Sequence, residues 1–245
     1  MLEQINQLKK NGFLIIKKHF SKSECSDLQG LSNSLIQESK KGLSEHLLID
    51  QLDMSYHELA DSPKTILSKR GDIGYDQNLL DFFNPQIWFI AKNLGIDNTI
   101  EKFTSGLIPE ILNQVHGELR PKNMNLYVHN GVTTPRDHHI DSIRSYFKVF
   151  LALSDQTSNE CGPYAMIPGS HKNKIFNYLM CTYNRRILGK KGGQTTDATF
   201  YSQDDLQPMY MDVGDVLISN QSCVHGALPA KGGTRLTMLQ TYDIK

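Results

Sequence analysis

The sequence predicts an α+β protein in which helices come first and a core of short β-strands follows. Before residue 120 the apolar residues recur mainly at helical spacing, whereas after Pro121 they alternate or form short runs between turn residues. Many short strands separated by turns are typical of a β-barrel or a jelly roll. We therefore expect a single domain over residues 1–245, with a helical part at 1–120 and a β core at 121–245.

The composition limits the classes of protein to which this chain can belong. The formal net charge is zero, so nothing favours bulk electrostatic binding of nucleic acid. No apolar run approaches the ~20 residues that span a bilayer, and residues 1–10 lack the apolar stretch of a signal peptide. The cysteines show no C-x-x-C pattern and fit reduced thiols. We expect a cytoplasmic protein that binds neither nucleic acid nor membranes, as a monomer or small homo-oligomer.

The amino-terminal part opens with a helix that ends at Gly12. The apolar residues at helical spacing in it are Leu2, Ile5 and Leu8. Phe13–Ile16 is a short apolar run and predicts a strand. Ser21–Glu24 has the pattern of a capping box and opens a helix towards Ser39. Further helices are predicted over residues 53–69, 85–94 and 107–117.

The β core begins with an alternating segment at 123–129, which is typical of a half-buried strand. Residues 146–153 predict a second, more buried strand, and 164–167 a third. A polar insertion follows at 171–207, with a helix predicted at 173–180. The later strands are predicted at 209–213, 215–219, 223–226 and 234–242.

A candidate metal site lies within this core. His139 and Asp141 are two residues apart on an extended segment, so both point to one side. With His225 from a distant strand they would form a face of two histidines and one carboxylate, which suits Fe(II) with open coordination positions. His138 is the rival for the first ligand, but its side chain should face the other way. His171 is more simply a turn residue bonded to nearby backbone.

Ten positions after His225, Arg235 lies in a segment whose β-branched and apolar residues predict a strand. A buried guanidinium is costly unless it meets an anion, and its fork suits a carboxylate. An iron site beside a carboxylate receptor is what 2-oxoglutarate needs. Its keto-acid end would chelate the iron and its far carboxylate would meet Arg235.

Several motifs together resemble the phytanoyl-CoA dioxygenase family. They are Asn11–Ile16 with Phe20–Cys25, Phe147–Asp155, Gly162-Pro163, Ile167–His171, Gly214-Asp215, His225-Gly226 and Arg235. The Pro-Gly-Ser-His tetrad, at its distance after the H-x-D string, is the most specific part. The resemblance is weak between residues 40 and 120 and in the 171–207 insertion.

The resemblance implies a double-stranded β-helix, a jelly roll on which the amino-terminal helices pack. It implies a non-haem dioxygenase that uses Fe(II), 2-oxoglutarate and O2, with ascorbate as a candidate reductant. By position, His139, Asp141 and His225 match the family's iron ligands, and Arg235 matches its carboxylate clamp. Relatives often carry a hydroxyl residue two positions after the distal histidine, whereas Ala227 stands there in this chain.

Three further residues are candidates for the co-substrate site. Asn125 and Tyr127 lie on the polar face of their strand, which either meets water or lines a cavity. Lining the cavity would bring them to the keto-acid end of 2-oxoglutarate. Tyr164 follows Gly162-Pro163, where relatives place a hydroxyl near the co-substrate; otherwise it is a packed core tyrosine.

Cations near the H-x-D string and in the insertion suggest a carboxylate or phosphate on the substrate. They are Arg136, Arg144, Arg185 and Arg186. A charge run is usually a solvated face, and whether the insertion forms a lid stays open.

The expected reaction is hydroxylation of a C–H bond of a small metabolite, with release of succinate and CO2. Desaturation, cyclisation or epimerisation by the same iron chemistry would fit the same residues. The first rival class is a cupin-type metal isomerase or a dioxygenase without 2-oxoglutarate, neither of which would need Arg235. The second is a non-catalytic metal-binding jelly-roll protein. The substrate cannot be read from the sequence.

Overall fold

The computed structural model describes residues 1–42, 66–68, 86–88, 97–130, 138–143, 146–186, 197–198 and 200–244. Its helices are α1 (Leu2–Asn11), α2 (Lys22–Gly42), α3 (Asp97–Thr104), α4 (Leu107–His116) and α5 (Lys174–Arg186). Its strands are β1 (Phe13–Ile16), β2 (Ile66–Ser68), β3 (Gln86–Trp88), β4 (Leu119–Asn130), β5 (Phe147–Ala152), β6 (Tyr164–Met166), β7 (Gln207–Pro208), β8 (Val216–Asn220), β9 (His225–Ala227) and β10 (Thr234–Ile244).

Local signals define the first two helices as predicted. Gly12 adopts a left-handed conformation with φ 82° after α1, and its N–H donates to the Leu8 carbonyl at 2.8 Å. At the start of α2, the Ser21 hydroxyl accepts from the Glu24 N–H at 3.2 Å. The Glu24 carboxylate accepts from the Ser21 N–H at 2.8 Å. This reciprocal pair satisfies two backbone donors that the helix leaves open.

Two antiparallel sheets form the β part of the protein. The larger sheet has the strand order β1-β8-β5-β10-β4-β3-β2, and the smaller has the order β7-β6-β9. Single bridges extend the smaller sheet, because His139 pairs with both His225 and Asp197. The predicted α+β class is therefore confirmed as a mixture of helices and antiparallel sheets.

Strand alternation divides the core into two layers. On β5, Phe147, Val149 and Leu151 pack among the helices, whereas Phe150 and Ala152 pack towards the smaller sheet. Successive side chains of a strand point to opposite faces, so one buried strand serves both layers. The inner layer, between the two sheets, is where functional side chains can be shielded from water.

Helix α5 packs on the outer side of the smaller sheet, and its large apolar side chains are not the ones that face inward. Among its described side chains, those of Asn177 and Cys181 are buried, while large apolar ones such as Ile175 and Leu179 are exposed. Asn177 donates to the Ser170 carbonyl at 2.9 Å, and its own oxygen accepts from the Tyr201 hydroxyl at 2.9 Å. These bonds explain why a polar residue lies inside. The predicted helix at 173–180 is confirmed and extends to Arg186.

Two helix predictions were wrong where the structure describes them. Ile66–Ser68 and Gln86–Trp88 form strands β2 and β3, which pair with each other at the edge of the larger sheet beside β4. Periodicity alone cannot tell a short apolar run in a strand from one in a helix, and strand partners decide. The rest of those windows lies outside the described residues. The helix predicted at 107–117 is confirmed as α4.

The strand predicted at 209–213 was also wrong in its position. Its place is taken by β7, which pairs with β6, and by a single bridge from Met211 to Gln156.

None of the helices in the described part combines the length and apolar character that crossing a bilayer requires.

Candidate metal centre

Backbone pairing brings the two candidate histidines together. The His139 N–H donates to the His225 carbonyl and the His225 N–H donates to the His139 carbonyl, both at 2.8 Å. Residues paired in this way project their side chains to the same face of a sheet. The two imidazole ring centres are accordingly 4.5 Å apart. Asp141, two residues beyond His139, points to that same face.

The three side chains form a group that could hold a metal ion. The His139 Nε2 lies 3.3 Å from Asp141 Oδ1, and the His225 Nε2 lies 3.7 Å from Asp141 Oδ2. All three potential ligand atoms lie within 4.8 Å of one another. Both imidazoles are buried, whereas the carboxylate keeps 18% of its side chain exposed. The two imidazoles are thus shielded from water, whereas the carboxylate is only partly shielded.

Electrostatics favours the metal-binding forms of His225 and Asp141. The His225 Nδ1 donates to the Cys223 carbonyl at 2.9 Å, which turns Nε2 towards the site. Burial, and then the neighbouring His139, lower the pKa of His225 to about 3, so its imidazole is neutral. Burial opposes ionisation of Asp141, but Lys148 and the two imidazoles outweigh it and hold the pKa of that carboxyl well below its usual value. Two imidazoles and one carboxylate form a ligand set that fits Fe(II).

Two residues support Asp141, a role that the sequence did not predict for either; the sequence suggested Lys148 only as one of the cations near the H-x-D string. The Lys148 Nζ lies 2.6 Å from Asp141 Oδ2, and the Tyr146 hydroxyl donates to the same oxygen at 2.9 Å. Burial, and then the charge of Asp141, raise the pKa of Tyr146 and keep its phenol protonated. The available signal was a lysine inside an otherwise apolar strand, since Lys148 shares the inner face with Phe150.

Arg235 lies on the inner face of β10, the face that also carries Leu239. It is buried, and its backbone is paired with that of His129 on β4. The guanidinium Nη2 lies against both ring nitrogens of His129, 3.2 Å from Nδ1 and 2.5 Å from Nε2. The sequence predicted a buried guanidinium here but gave no sign of this histidine beside it.

An aromatic wall connects the inner face of the larger sheet with the triad. The Phe150 ring lies 4.9 Å from the Tyr164 ring, which stacks on His225 at 5.5 Å. The Tyr164 hydroxyl lies 3.4 Å from the Ser219 hydroxyl, and burial raises its pKa. Tyr127 stacks on Phe150 at 6.5 Å. Both predicted tyrosines therefore face the space between the sheets.

The remaining predicted site residues are only partly described. Asn125 pairs through its backbone with Leu239, but its side chain is outside the described set. Arg136 and Arg144 lie outside the described residues, and of Arg185 and Arg186 only the backbone, at the end of α5, is described.

The rival histidines take no part in the triad. The His138 Nε2 lies 3.0 Å from the Tyr201 carbonyl, on the opposite side of the strand as expected. His171 contacts the Lys9 carbonyl at 3.2 Å and the Cys223 sulfur at 3.4 Å, which is the turn role that the sequence favoured.

Solved structures share this fold over nearly the whole chain. The epimerase SnoN, in complex with Fe3+, alpha ketoglutarate (2-oxoglutarate) and nogalamycin RO, is 14% identical, with a TM-score of 0.58 over 98% of this chain and 82% of its own. The carbocyclase SnoK from nogalamycin biosynthesis is 15% identical, with a TM-score of 0.60 over 99% and 83%. HygX from Streptomyces hygroscopicus, with nickel and 2-oxoglutarate bound, is 18% identical, with a TM-score of 0.57 over 99% and 86%.

A curated sequence relative covers much less of the chain. Uncharacterized protein 467R of Invertebrate iridescent virus 6 is 27% identical over 79 residues, which is 32% of this chain and 16% of that protein. The phytanoyl-CoA dioxygenase family model matches residues 108–235, more than half of the 245 residues. That range contains the triad and Arg235. The chain therefore belongs to the phytanoyl-CoA dioxygenase family, as its motifs predicted.

Proposed function

We propose that this protein is an Fe(II)- and 2-oxoglutarate-dependent dioxygenase that hydroxylates a C–H bond of a small metabolite. The observation that carries the proposal is the convergence of His139, Asp141 and His225 within 4.8 Å. Iron bound there would activate O2, and 2-oxoglutarate would be oxidised to succinate and CO2. Structural neighbours that hold iron, nickel or 2-oxoglutarate support this choice of metal and co-substrate.

The protein's own residues would divide the remaining tasks. His139, Asp141 and His225 would hold the metal, while Tyr146 and Lys148 keep the carboxylate of Asp141 in one orientation. Arg235 would receive the distal carboxylate of the co-substrate. Its keto-acid end would be lined by Asn125, Tyr127 and Tyr164.

We extend the proposal to the architecture. The two antiparallel sheets would form the jelly roll of one oxygenase domain over residues 1–245, with the 171–207 segment as its insertion. Neighbours that span 98–99% of the chain support this arrangement. A cytoplasmic monomer or small homo-oligomer stays a prediction, in keeping with four buried free thiols.

The substrate is proposed to be a small molecule with an acidic group. Among the neighbours, SnoN was crystallised with nogalamycin RO and HygX with hygromycin B. The cations that we propose to meet an acidic group are Arg136, Arg144, Arg185 and Arg186. An epimerase and a carbocyclase among the neighbours keep epimerisation and cyclisation open as reaction outcomes, beside desaturation.

Succinate release tests the function. Purified protein would be given Fe(II), 2-oxoglutarate, O2 and ascorbate, with the Asp141→Ala variant as control. We expect slow, iron-dependent succinate formation that the variant loses and that the correct substrate accelerates. Tight metal binding without succinate, even across a broad panel of small molecules, would instead indicate a non-catalytic metal-binding protein.

A further inference from the structure

Helix α5 presents a continuous apolar surface to the outside of the protein. Nine large apolar side chains are exposed among the described residues, and five of them lie on this one helix: Ile175, Phe176, Tyr178, Leu179 and Tyr183. Three of these five follow one another at intervals of four residues, and the other two flank them, so all share one side of the helix. We call these five residues the α5 face. Single exposed apolar residues are ordinary, whereas a contiguous group of them indicates a contact surface.

The packing of α5 holds this face outward. On the opposite side of the helix, Asn177 donates to the Ser170 carbonyl and accepts from the Tyr201 hydroxyl, both at 2.9 Å. Cys181, one turn later, is buried in the same cluster as Ala165 of β6. Turning the helix so that the apolar face became buried would break both hydrogen bonds and expose Cys181. The exposure of the α5 face is therefore a property of the fold.

Basic residues border the α5 face. The segment 171–186 contains no aspartate or glutamate, although the whole chain has 26 acidic and 26 basic residues. Its lysines and arginines are Lys172, Lys174, Arg185 and Arg186. At the amino-terminal end of α5, the exposed Lys172 is joined by the exposed Lys9 of α1, because the Lys9 carbonyl lies 3.2 Å from the His171 ring. Positive charge thus accompanies the apolar surface.

This combination fits an anionic lipid surface better than a second copy of the chain. A two-fold dimer built on the α5 faces would bring the basic residues of both copies together, and the segment 171–186 offers no acid to pair with them. The acidic residues Asp204 and Asp205 follow Tyr201 in the chain, and Tyr201 contacts the buried side of α5. At a bilayer surface, apolar side chains enter the acyl boundary, tyrosines lie at the level of the headgroups, and lysines meet the lipid phosphates.

We propose that α5 binds reversibly to membrane surfaces that contain anionic lipids, with the α5 face against the acyl chains. The helix has 13 residues, fewer than the ~20 that span a bilayer, so it would lie in the plane of the interface. The composition predicted no membrane binding, because it averages over the chain and does not show which side chains a helix turns outward. The inference does not depend on the proposed reaction.

Sedimentation with lipid vesicles tests this proposal. The full chain is mixed with vesicles of phosphatidylcholine alone, or of phosphatidylcholine and phosphatidylserine at about two to one, and the bound fraction is measured against lipid concentration. We expect the wild type to bind the anionic vesicles at least about tenfold more tightly than the neutral ones. High salt should reduce this preference, because it screens the lysines from the headgroups.

The first variant removes apolar side chains from the α5 face. Ile175→Ser combined with Leu179→Ser should weaken binding to anionic vesicles at least about tenfold. The melting temperature should not change, because both side chains are exposed. Leu2→Ser at the start of α1 is the matched control: Leu2 is 73% exposed and Leu179 is 60% exposed, yet the control should bind like the wild type.

The second variant removes charge. Lys172→Gln combined with Lys174→Gln should weaken binding to anionic vesicles about tenfold and leave binding to neutral vesicles unchanged. Arg185 and Arg186 are kept in every variant, because they are already proposed to meet the substrate.

Four results would overturn the inference. The first is a wild type that binds neither kind of vesicle. The second is equal binding to both kinds that the lysine substitutions do not alter. The third is a dimer, detected by sedimentation velocity without lipid, that Ile175→Ser with Leu179→Ser dissociates, since a second copy would then cover the α5 face. The fourth is a lower melting temperature of that same variant, since another part of the chain would then cover the face.

Discussion

The ion pair between Asp141 and Lys148 makes a prediction that concerns stability as well as metal binding. Asp141→Ala removes a metal ligand, and it also removes the carboxylate that lies 2.6 Å from the Lys148 Nζ. The lysine would then keep its partly buried position but lose this counter-charge. We therefore expect the variant to be less stable than the wild type even when no metal is present.

The size of the effect follows from burial. Breaking a fully buried ion pair by removing one partner costs about 3–5 kcal/mol. The two side chains remain 18% and 19% exposed, so water screens part of the remaining charge. We expect a loss of about 2–3 kcal/mol. At about 2–4 °C per kcal/mol for a chain of this length, the melting temperature should fall by about 5–10 °C.

Thermal unfolding in excess chelator measures this loss without the contribution of bound metal. The double variant Asp141→Leu with Lys148→Met replaces the pair by apolar groups and should recover most of the stability, while metal binding stays abolished. The reasoning is refuted if Asp141→Ala melts within about 2 °C of the wild type, on the same scale. It is equally refuted if the double variant is no more stable than the single one.

Three further predictions concern substitutions at single positions. Tyr146→Phe removes one hydrogen bond to the ligand carboxylate and should weaken Ni(II) affinity about tenfold, measured by calorimetry, with little change in melting temperature. Glu24→Ala should cost about 1 kcal/mol at pH 7 in urea unfolding, because it breaks the capping box. A hydrogen bond from Lys102, and then those from Ser21, lower the pKa of Glu24 to about 2. The advantage of the wild type should therefore hold above about pH 4 and vanish as the pH falls towards 2. Gly214→Ala should lower the free energy of unfolding by more than about 2 kcal/mol, because φ is 93° and an added Cβ would lie 2.3 Å from the Phe20 carbonyl oxygen. Gly30→Ala in α2 is the matched control, because an added Cβ meets nothing within 4 Å, and it should raise the free energy of unfolding by up to about 1 kcal/mol. Equal effects of the two substitutions in urea unfolding would contradict this account.

Features coded within a few residues were predictable from the chain alone. Gly12 and the Ser21–Glu24 box define helix ends through bonds to their own neighbours, and the structure contains both. The strand at 147–152 follows from its apolar run. His139 and Asp141 share a face because an extended backbone alternates, whatever the rest of the chain does.

Features that depend on distant partners were predictable only in part. The strands β2 and β3 exist because neighbouring strands supply their hydrogen bonds, so the periodicity of those windows taken alone indicates helices. The sequence predicted helix α5, but it did not predict that Asn177 would lie on the buried face of this helix. The burial of Asn177 depends on its hydrogen bonds with the Ser170 carbonyl and the Tyr201 hydroxyl. The ion pair of Lys148 was not predictable, because its partner, the Asp141 carboxylate, lies on another segment of the chain.

The sequence by itself determined the family, the class of elements and which residue types could bind a metal, since motifs and periodicity are local properties. The tertiary structure alone decided that His225 meets His139 across a backbone bridge, that Lys148 and Tyr146 hold Asp141, and that His129 contacts Arg235. The physical reason is that strand register and sheet packing set these distances, and both depend on hydrogen bonds and burial between residues far apart in the chain.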